Sequence, residues 1–213
     1  MLSHPQVYVI DDEEAVRHAL AGLLKASGFT VETFPSAVNF LKGVDLDRVG
    51  VVIADLAMPE MNGDELLREL KVKESPLAII IVTGVADVKI AVQVMESGAL
   101  TLLEKPFSGD DMLTAVRSGL SRSLAHQAEK VRRDSVSRIM AGLDEDERGI
   151  VTRMIEGKSI KSCSFELNLS TRTIERRRKD ILKTFGVSSI LELAMLVMSA
   201  RRQEPRHPQA YGV

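Results

Sequence analysis

Four largely apolar runs in this chain lead to side chains that can do chemistry: VYVI runs into Asp11-Asp12, VVIA into Asp55, IIIV into Thr83, and LTLL is followed, after Glu104, by Lys105. If the runs holding Asp11-Asp12 and Asp55 are neighbouring strands, three carboxylates converge, which is electrostatically costly without a cation. Oxygen ligands of this type suit Mg²⁺, which keeps waters and phosphate oxygens in its shell. A carboxylate can also act as a nucleophile toward a phosphoryl group. A metal, a lysine and a hydroxyl would then neutralise the charge on the transferred group.

Each piece alone has a plainer explanation. Asp11-Asp12 could simply favour the start of a helix. Thr83 could be an ordinary strand residue, and Lys105 a solvated one. Asp55 is harder to set aside, because a charge directly after VVIA needs a partner if it is buried. Their occurrence at the ends of successive apolar runs is what makes the set informative.

The elements needed to position these residues are legible over the first ~120 residues. Strands are expected at Val7–Ile10, Val31–Phe34, Val51–Asp55, Ala78–Thr83 and Leu100–Leu103. Several are apolar without alternation, as expected of strands covered on both faces. Amphipathic segments near 14–26, 36–42, 63–73, 86–96 and 108–125 predict helices between them. The alternation predicts a five-stranded parallel doubly wound sheet, whose ligands bind at the carboxyl ends of the strands.

From residue 143 onward no strand pattern remains, and helices are expected near 144–156, 159–167, 171–185 and 188–200. Residues 121–142 are polar, mixed in charge and free of proline, so they can extend the fifth helix into a linker. The chain after Arg201 holds two prolines and no periodic pattern, and disorder is expected there. The boundaries are therefore a first domain over 1–122, a helical linker over 123–142, an all-α domain over 143–201 and a tail over 202–213.

Charge divides along the same line. Residues 1–125 carry 11 Lys+Arg and 18 Asp+Glu, while residues 126–213 carry 17 and 12. A basic second half suggests a polyanionic partner. On a helix at about 100° per residue, Arg172, Arg176, Lys179 and Lys183 fall within about 60° of one another. Ile174, Ile181, Leu182 and Phe185 take the opposite side. Ser170 is placed to cap this helix, and Arg177 and Arg178 lie nearer its packed side, where they could flank phosphates or snorkel. A charge run on a helix is often only a solvated face. Here the preceding GKSIKSCSFELNLS supplies the short helix and turn of a helix-turn-helix.

The remaining features narrow the class. Hydrophobic residues make up 45% and aromatics 4%, so the cores are built from aliphatic side chains. The one cysteine, Cys163, excludes an internal disulfide and is expected as a small buried hydrophobe. The first residues meet four acids by Glu14 and do not resemble a signal peptide. No apolar run reaches the ~20 residues of a membrane helix. A cytoplasmic protein is expected.

VYVIDDEE, VVIADLAMPEMNG, IIIVTG and EKPF resemble the receiver family of response regulators, over about residues 5–122. The resemblance implies that Asp55 is the phosphoacceptor, and that Asp11, Asp12, Asp55 and the Ala57 carbonyl bind Mg²⁺. It further implies that Thr83 and Lys105 contact the phosphoryl group, with Lys105-Pro106 in a cis peptide. One position departs: the family usually has Tyr or Phe three residues before the lysine, and here Leu102 occupies that switch position.

LDEDERGIV, GKSIKS and LNLSTRTIERRRKDILKTFGV are similar to the LuxR-type DNA-binding domain, so the whole resembles a FixJ/NarL-like response regulator. The resemblance implies a recognition helix in the major groove, dimerisation through the helix at 188–200 and control by a sensor histidine kinase. Arg172, Glu175, Arg176, Arg177, Lys179 and Lys183 are the expected DNA contacts. Ser164 replaces a small residue, commonly Ala, and Arg177 replaces the usual His. The resemblance also adds RNA polymerase to the expected partners. In the rival reading the chain is a constitutive or protein-interaction regulator, because such helix-turn-helix domains also resemble a sigma-factor region. No Gly-rich phosphate loop, catalytic triad or separate substrate site marks an enzyme.

Overall fold

The computed structural model describes residues 6–84 and 87–201, which divide into two compact units between Ala128 and Glu129. In the first unit the strands are β1 (Gln6–Ile10), β2 (Thr30–Phe34), β3 (Gly50–Asp55), β4 (Ala78–Thr83) and β5 (Thr101–Glu104). They form one parallel five-stranded sheet in the order β2-β1-β3-β4-β5. Between them lie α1 (Glu14–Ala26), α2 (Ala37–Gly43), α3 (Gly63–Val72) and α4 (Val88–Ser97), and α5 (Gly109–Gly142) follows β5.

All six residues of β3 and of β4 are buried. This explains their unbroken apolar sequence: each face of the sheet carries a layer of helices. Alternate side chains go to opposite cores. Tyr8, Ile10, Val52, Ala54, Ile79 and Ile81 meet Phe40, Leu66, Leu70 and Val94 from α2, α3 and α4. Val7, Val9, Val51, Ile53, Ile80 and Val82 meet Leu20, Leu24, Met112 and Val116 from α1 and α5.

The expected elements form, with small differences that have local causes. β5 starts at Thr101 rather than Leu100, because its ladder with β4 opens at the Ile80–Thr101 pair. α4 starts at Val88, where the Asp87 side chain accepts a hydrogen bond from the Lys89 N–H, and stops at Gly98 in the left-handed region (φ 111°). The linker segment is helical throughout, as one continuous α5.

In the second unit, α6 (Glu145–Ile155), α7 (Ile160–Leu167), α8 (Thr171–Thr184) and α9 (Ile190–Arg201) gather around Ile150, Val151, Cys163, Ile174, Ile181, Leu193 and Val197, with Val136 of α5. Cys163 is buried and free, as a small hydrophobe would be. The turn before α8 contains Asn168 in the left-handed region (φ 52°), and Ser170 caps α8 by accepting from the Thr173 N–H. α9 begins two residues later than expected. The Ser189 hydroxyl accepts from the Glu192 N–H, and the Glu192 carboxylate accepts from the Ser188 N–H, so these serines cap the helix instead of entering it. The segment expected to be disordered, 202–213, lies outside the described residues.

Candidate functional site

The strand order reverses direction between β1 and β3, and the crevice of such a sheet opens at that point. Ile10 pairs with Ala54, so Asp11 and Asp55 leave the sheet side by side. Lys105, directly after β5, reaches both: its ammonium donates to Asp11 Oδ2 at 3.1 Å and to Asp55 Oδ1 at 3.0 Å. The other oxygens are also engaged. Asp11 Oδ1 accepts from the Glu13 N–H at 2.9 Å, and Asp55 Oδ2 from the Ala57 N–H at 3.0 Å. Asp11 and Asp55 are 2% and 8% exposed, so these contacts compensate charges largely removed from water. Burial pulls the Lys105 ammonium down, yet its hydrogen bonds to Asp55 and Asp11 outweigh burial and leave its pKa raised.

Thr83 ends β4, buried and opposite Glu104 in the ladder, and its carbonyl accepts from the Lys105 N–H at 2.8 Å. The Lys105–Pro106 peptide is cis. Leu102 is half-buried and packs on the core layer that also contains Ile81, Ile90 and Val94.

In the second unit α8 presents Arg172, Glu175, Arg176, Lys179 and Lys183 exposed, while Ile174 and Ile181 are buried. The first helix and turn (α7 and Asn168–Leu169) precede it in helix-turn-helix order.

The response regulator receiver domain family matches residues 7–117, and the luxR family of bacterial regulatory proteins matches residues 142–197. The chain belongs to the response regulators. This response regulator is 38% identical to the transcriptional regulatory protein FixJ of Azorhizobium caulinodans, across 91% of this chain and 92% of that one. It is 37% identical to FixJ of Bradyrhizobium diazoefficiens, across 94% and 98%. A solved structure of the response regulator StyR overlays with a TM-score of 0.76 at 30% identity, covering 92% of this chain and 99% of that one. A receiver joined to a luxR-type helix-turn-helix makes this response regulator a DNA-binding transcription regulator of the two-component kind. Among the described residues no helix is long and apolar enough to cross a membrane.

The response regulator's expected site residues do not all come together. Asp11, Asp55 and Lys105 meet directly, whereas the Asp12 side chain is exposed. Among the described residues no three His, Cys, Asp or Glu side chains gather as a metal-holding group. Mg²⁺ does not require three: one or two carboxylates with waters and phosphate oxygens suffice. The convergence of Asp11 and Asp55 on a single cation, the Lys105 ammonium, shows that the donor set fits a positive charge.

Arg177 departs from the expected contacts. Its guanidinium turns toward α6, donating to both Asp144 carboxylate oxygens at 2.9 and 2.7 Å and pairing with Asp146 Oδ2 at 3.2 Å. The cause is helical: Arg177 sits about 140° around α8 from Arg172.

Sequence reasoning missed two positioning residues, Arg17 and Gly63. Arg17 Nη1 donates to the Asp11 and Asp12 carbonyls at 2.7 and 3.0 Å, holding the β1–α1 turn. Gly63 opens α3 directly beneath the site, where an added Cβ would lie 2.7 Å from the Asp55 carbonyl oxygen. Its place after Asn62, the N-cap of a capping box with Glu65, was a readable helix-start signal; the close approach to Asp55 was not.

Proposed function

We propose that a sensor histidine kinase phosphorylates Asp55, and that this modification controls binding of the second unit to DNA. The observation that carries the proposal is Lys105 donating to both Asp11 and Asp55 at the mouth of the sheet. In the reaction, an Asp55 carboxylate oxygen attacks phosphorus, the bond from phosphorus to the donor breaks, and the donor leaves with its electron pair. Lys105 stays beside the transferred group and offsets its charge, with the Thr83 hydroxyl as a second contact. Asp11, Asp12, Asp55 and the Ala57 carbonyl are the residues that would hold Mg²⁺. Mg²⁺ when bound supplies the positive charge that draws phosphoryl oxygens to the carboxylates. The chain regulates, and no separate output reaction is assigned to it.

Phosphorylation acts at a distance by favouring one of two arrangements. In this chain Thr83 moves toward the phosphoryl, and α4 and β5 read that movement out through repacking of Leu102 against Ile90 and Val94. Val88, Val92 and Met95 form an exposed apolar stripe on α4 and suit the surface of an activated homodimer. Leu191, Met195 and Met198 form a similar stripe on α9. The dimer binds an imperfect inverted repeat in the cytoplasm. Arg176 and Lys179 meet base edges, Glu175 stands beside them and accepts from a cytosine amino group, and Arg172 and Lys183 meet phosphates. RNA polymerase is the further partner such a regulator would engage.

The test is intact-mass measurement after incubation with Mg²⁺ and acetyl phosphate. Wild type should gain one phosphoryl group and Asp55→Asn none. Equal labelling of the two would overturn the assignment.

A further inference from the structure

α8 carries two arginines outside its exposed stripe, Arg177 and Arg178, and Arg177 has defined partners. Arg177 makes three short contacts to the N-terminus of α6, two with Asp144 and one with Asp146. Its target is already fixed. Asp144 is the N-cap of α6; its Oδ1 accepts from the Glu147 N–H at 2.7 Å, and its own N–H donates to Glu147 Oε2 at 3.0 Å. Asp144 also stands two residues beyond the end of α5, and Arg148 Nη1 holds the intervening Leu143 carbonyl at 2.8 Å. Arg177 thus ties the reading helix to the junction between α5 and α6.

The charge at this spot argues against a role on phosphates. One guanidinium facing Asp144 and Asp146 leaves a net negative pair, which repels a polyanion. To reach a phosphate, Arg177 would have to give up both carboxylates.

We propose that Arg177 is a positioning residue: it touches no DNA and sets the angle of α8 by clamping it to the α5–α6 junction. This rests on the reading of α8 as the DNA-binding helix. The Asp144–Arg177 bond, not the charge of Arg177 in itself, is then what DNA affinity depends on.

The experiment measures binding of the full-length chain to mixed-sequence duplex DNA by fluorescence anisotropy across a salt series, with Mg²⁺ and acetyl phosphate present. A lost phosphate contact lowers the slope of log affinity against log salt by about one. Lys183→Ala should do this. Arg177→Ala should weaken binding by about tenfold with the slope unchanged. Asp144→Asn should weaken it by a smaller factor, again with the slope unchanged, since Asn caps a helix as well as Asp and the Arg177–Asp146 pair survives. The double variant should bind no worse than Arg177→Ala alone. If Arg177→Ala unfolds the unit, Arg177→Lys carries the same comparison, because it keeps the charge and loses the two-pronged fit. A slope lowered by about one in Arg177→Ala, or an unchanged affinity in Asp144→Asn, overturns the proposal. A wild-type chain that binds no duplex overturns the DNA reading as well, so the two failures are distinguishable.

Discussion

Replacing Lys105 by Met tests whether the lysine holds the two carboxylates together. The change keeps most of the side-chain volume and removes the ammonium. Asp11 and Asp55, 2% and 8% exposed, would then face each other without a cation. Two charge-assisted hydrogen bonds are lost, each worth ~1.5–3 kcal/mol. Removing one partner of a buried pair costs about 3–5 kcal/mol. The Lys105 side chain is 27% exposed, so water enters at the mouth and the low end applies, about 3 kcal/mol. That corresponds to roughly a hundredfold increase in the opening constant of the first unit. Hydrogen exchange of peptides covering β1 and β3 reads this constant directly. Two further arms separate electrostatics from packing. Mg²⁺ should restore protection in Lys105→Met, by about 2.7 kcal/mol at a hundredfold excess over its dissociation constant. Asp55→Asn in the same background should recover much of the loss, because it removes the repulsion. Equal protection of wild type and Lys105→Met in the absence of Mg²⁺ would refute the reasoning.

Other changes follow from particular contacts. Gly63→Ala pushes a methyl to 2.7 Å from the Asp55 carbonyl oxygen, so it should cost about 1–3 kcal/mol and slow labelling of Asp55; wild-type stability and labelling rate would contradict this. Thr83→Ala should blunt any phosphorylation-dependent change in mass by light scattering, and Leu102→Ala should alter it less than truncating an aromatic switch would; an intact response in Thr83→Ala sinks the proposed read-out. Glu175→Gln should shift one position of the preferred site from cytosine toward adenine, by about 1–3 kcal/mol in a selection from random duplexes; unchanged preferences would place Glu175 away from the bases. Glu166, hydrogen-bonded by Lys158 and then Arg153, is lowered from 4.5 to about 2. Its contribution is therefore complete above 4.5 and is lost as pH falls toward 2. Glu166→Gln should accordingly be less stable than wild type near neutral pH and converge with it in that acid window; a gap constant across the window would be the wrong outcome.

What the sequence determined by itself was everything local. The apolar runs of β3 and β4, the 3.6-residue stripe of α8 and the Ser170 cap each depend on residues a few positions apart, and periodicity exposes them. The identity of Asp11, Asp55, Thr83 and Lys105 as residues at strand ends was legible for the same reason. The tertiary structure decided which of them meet. Lys105 lies 94 positions from Asp11 and 50 from Asp55, and only the β1–β3–β4–β5 order brings its ammonium to both. It also left Asp12 outside that contact, although Asp11 and Asp12 are adjacent in the chain. Arg177 shows the same division: its angle on α8 follows from sequence, but Asp144 stands 33 positions earlier and becomes its partner only through the packing of α6 on α8. Periodicity records which face of an element is buried; it carries no information about which charged group the neighbouring element brings to that face.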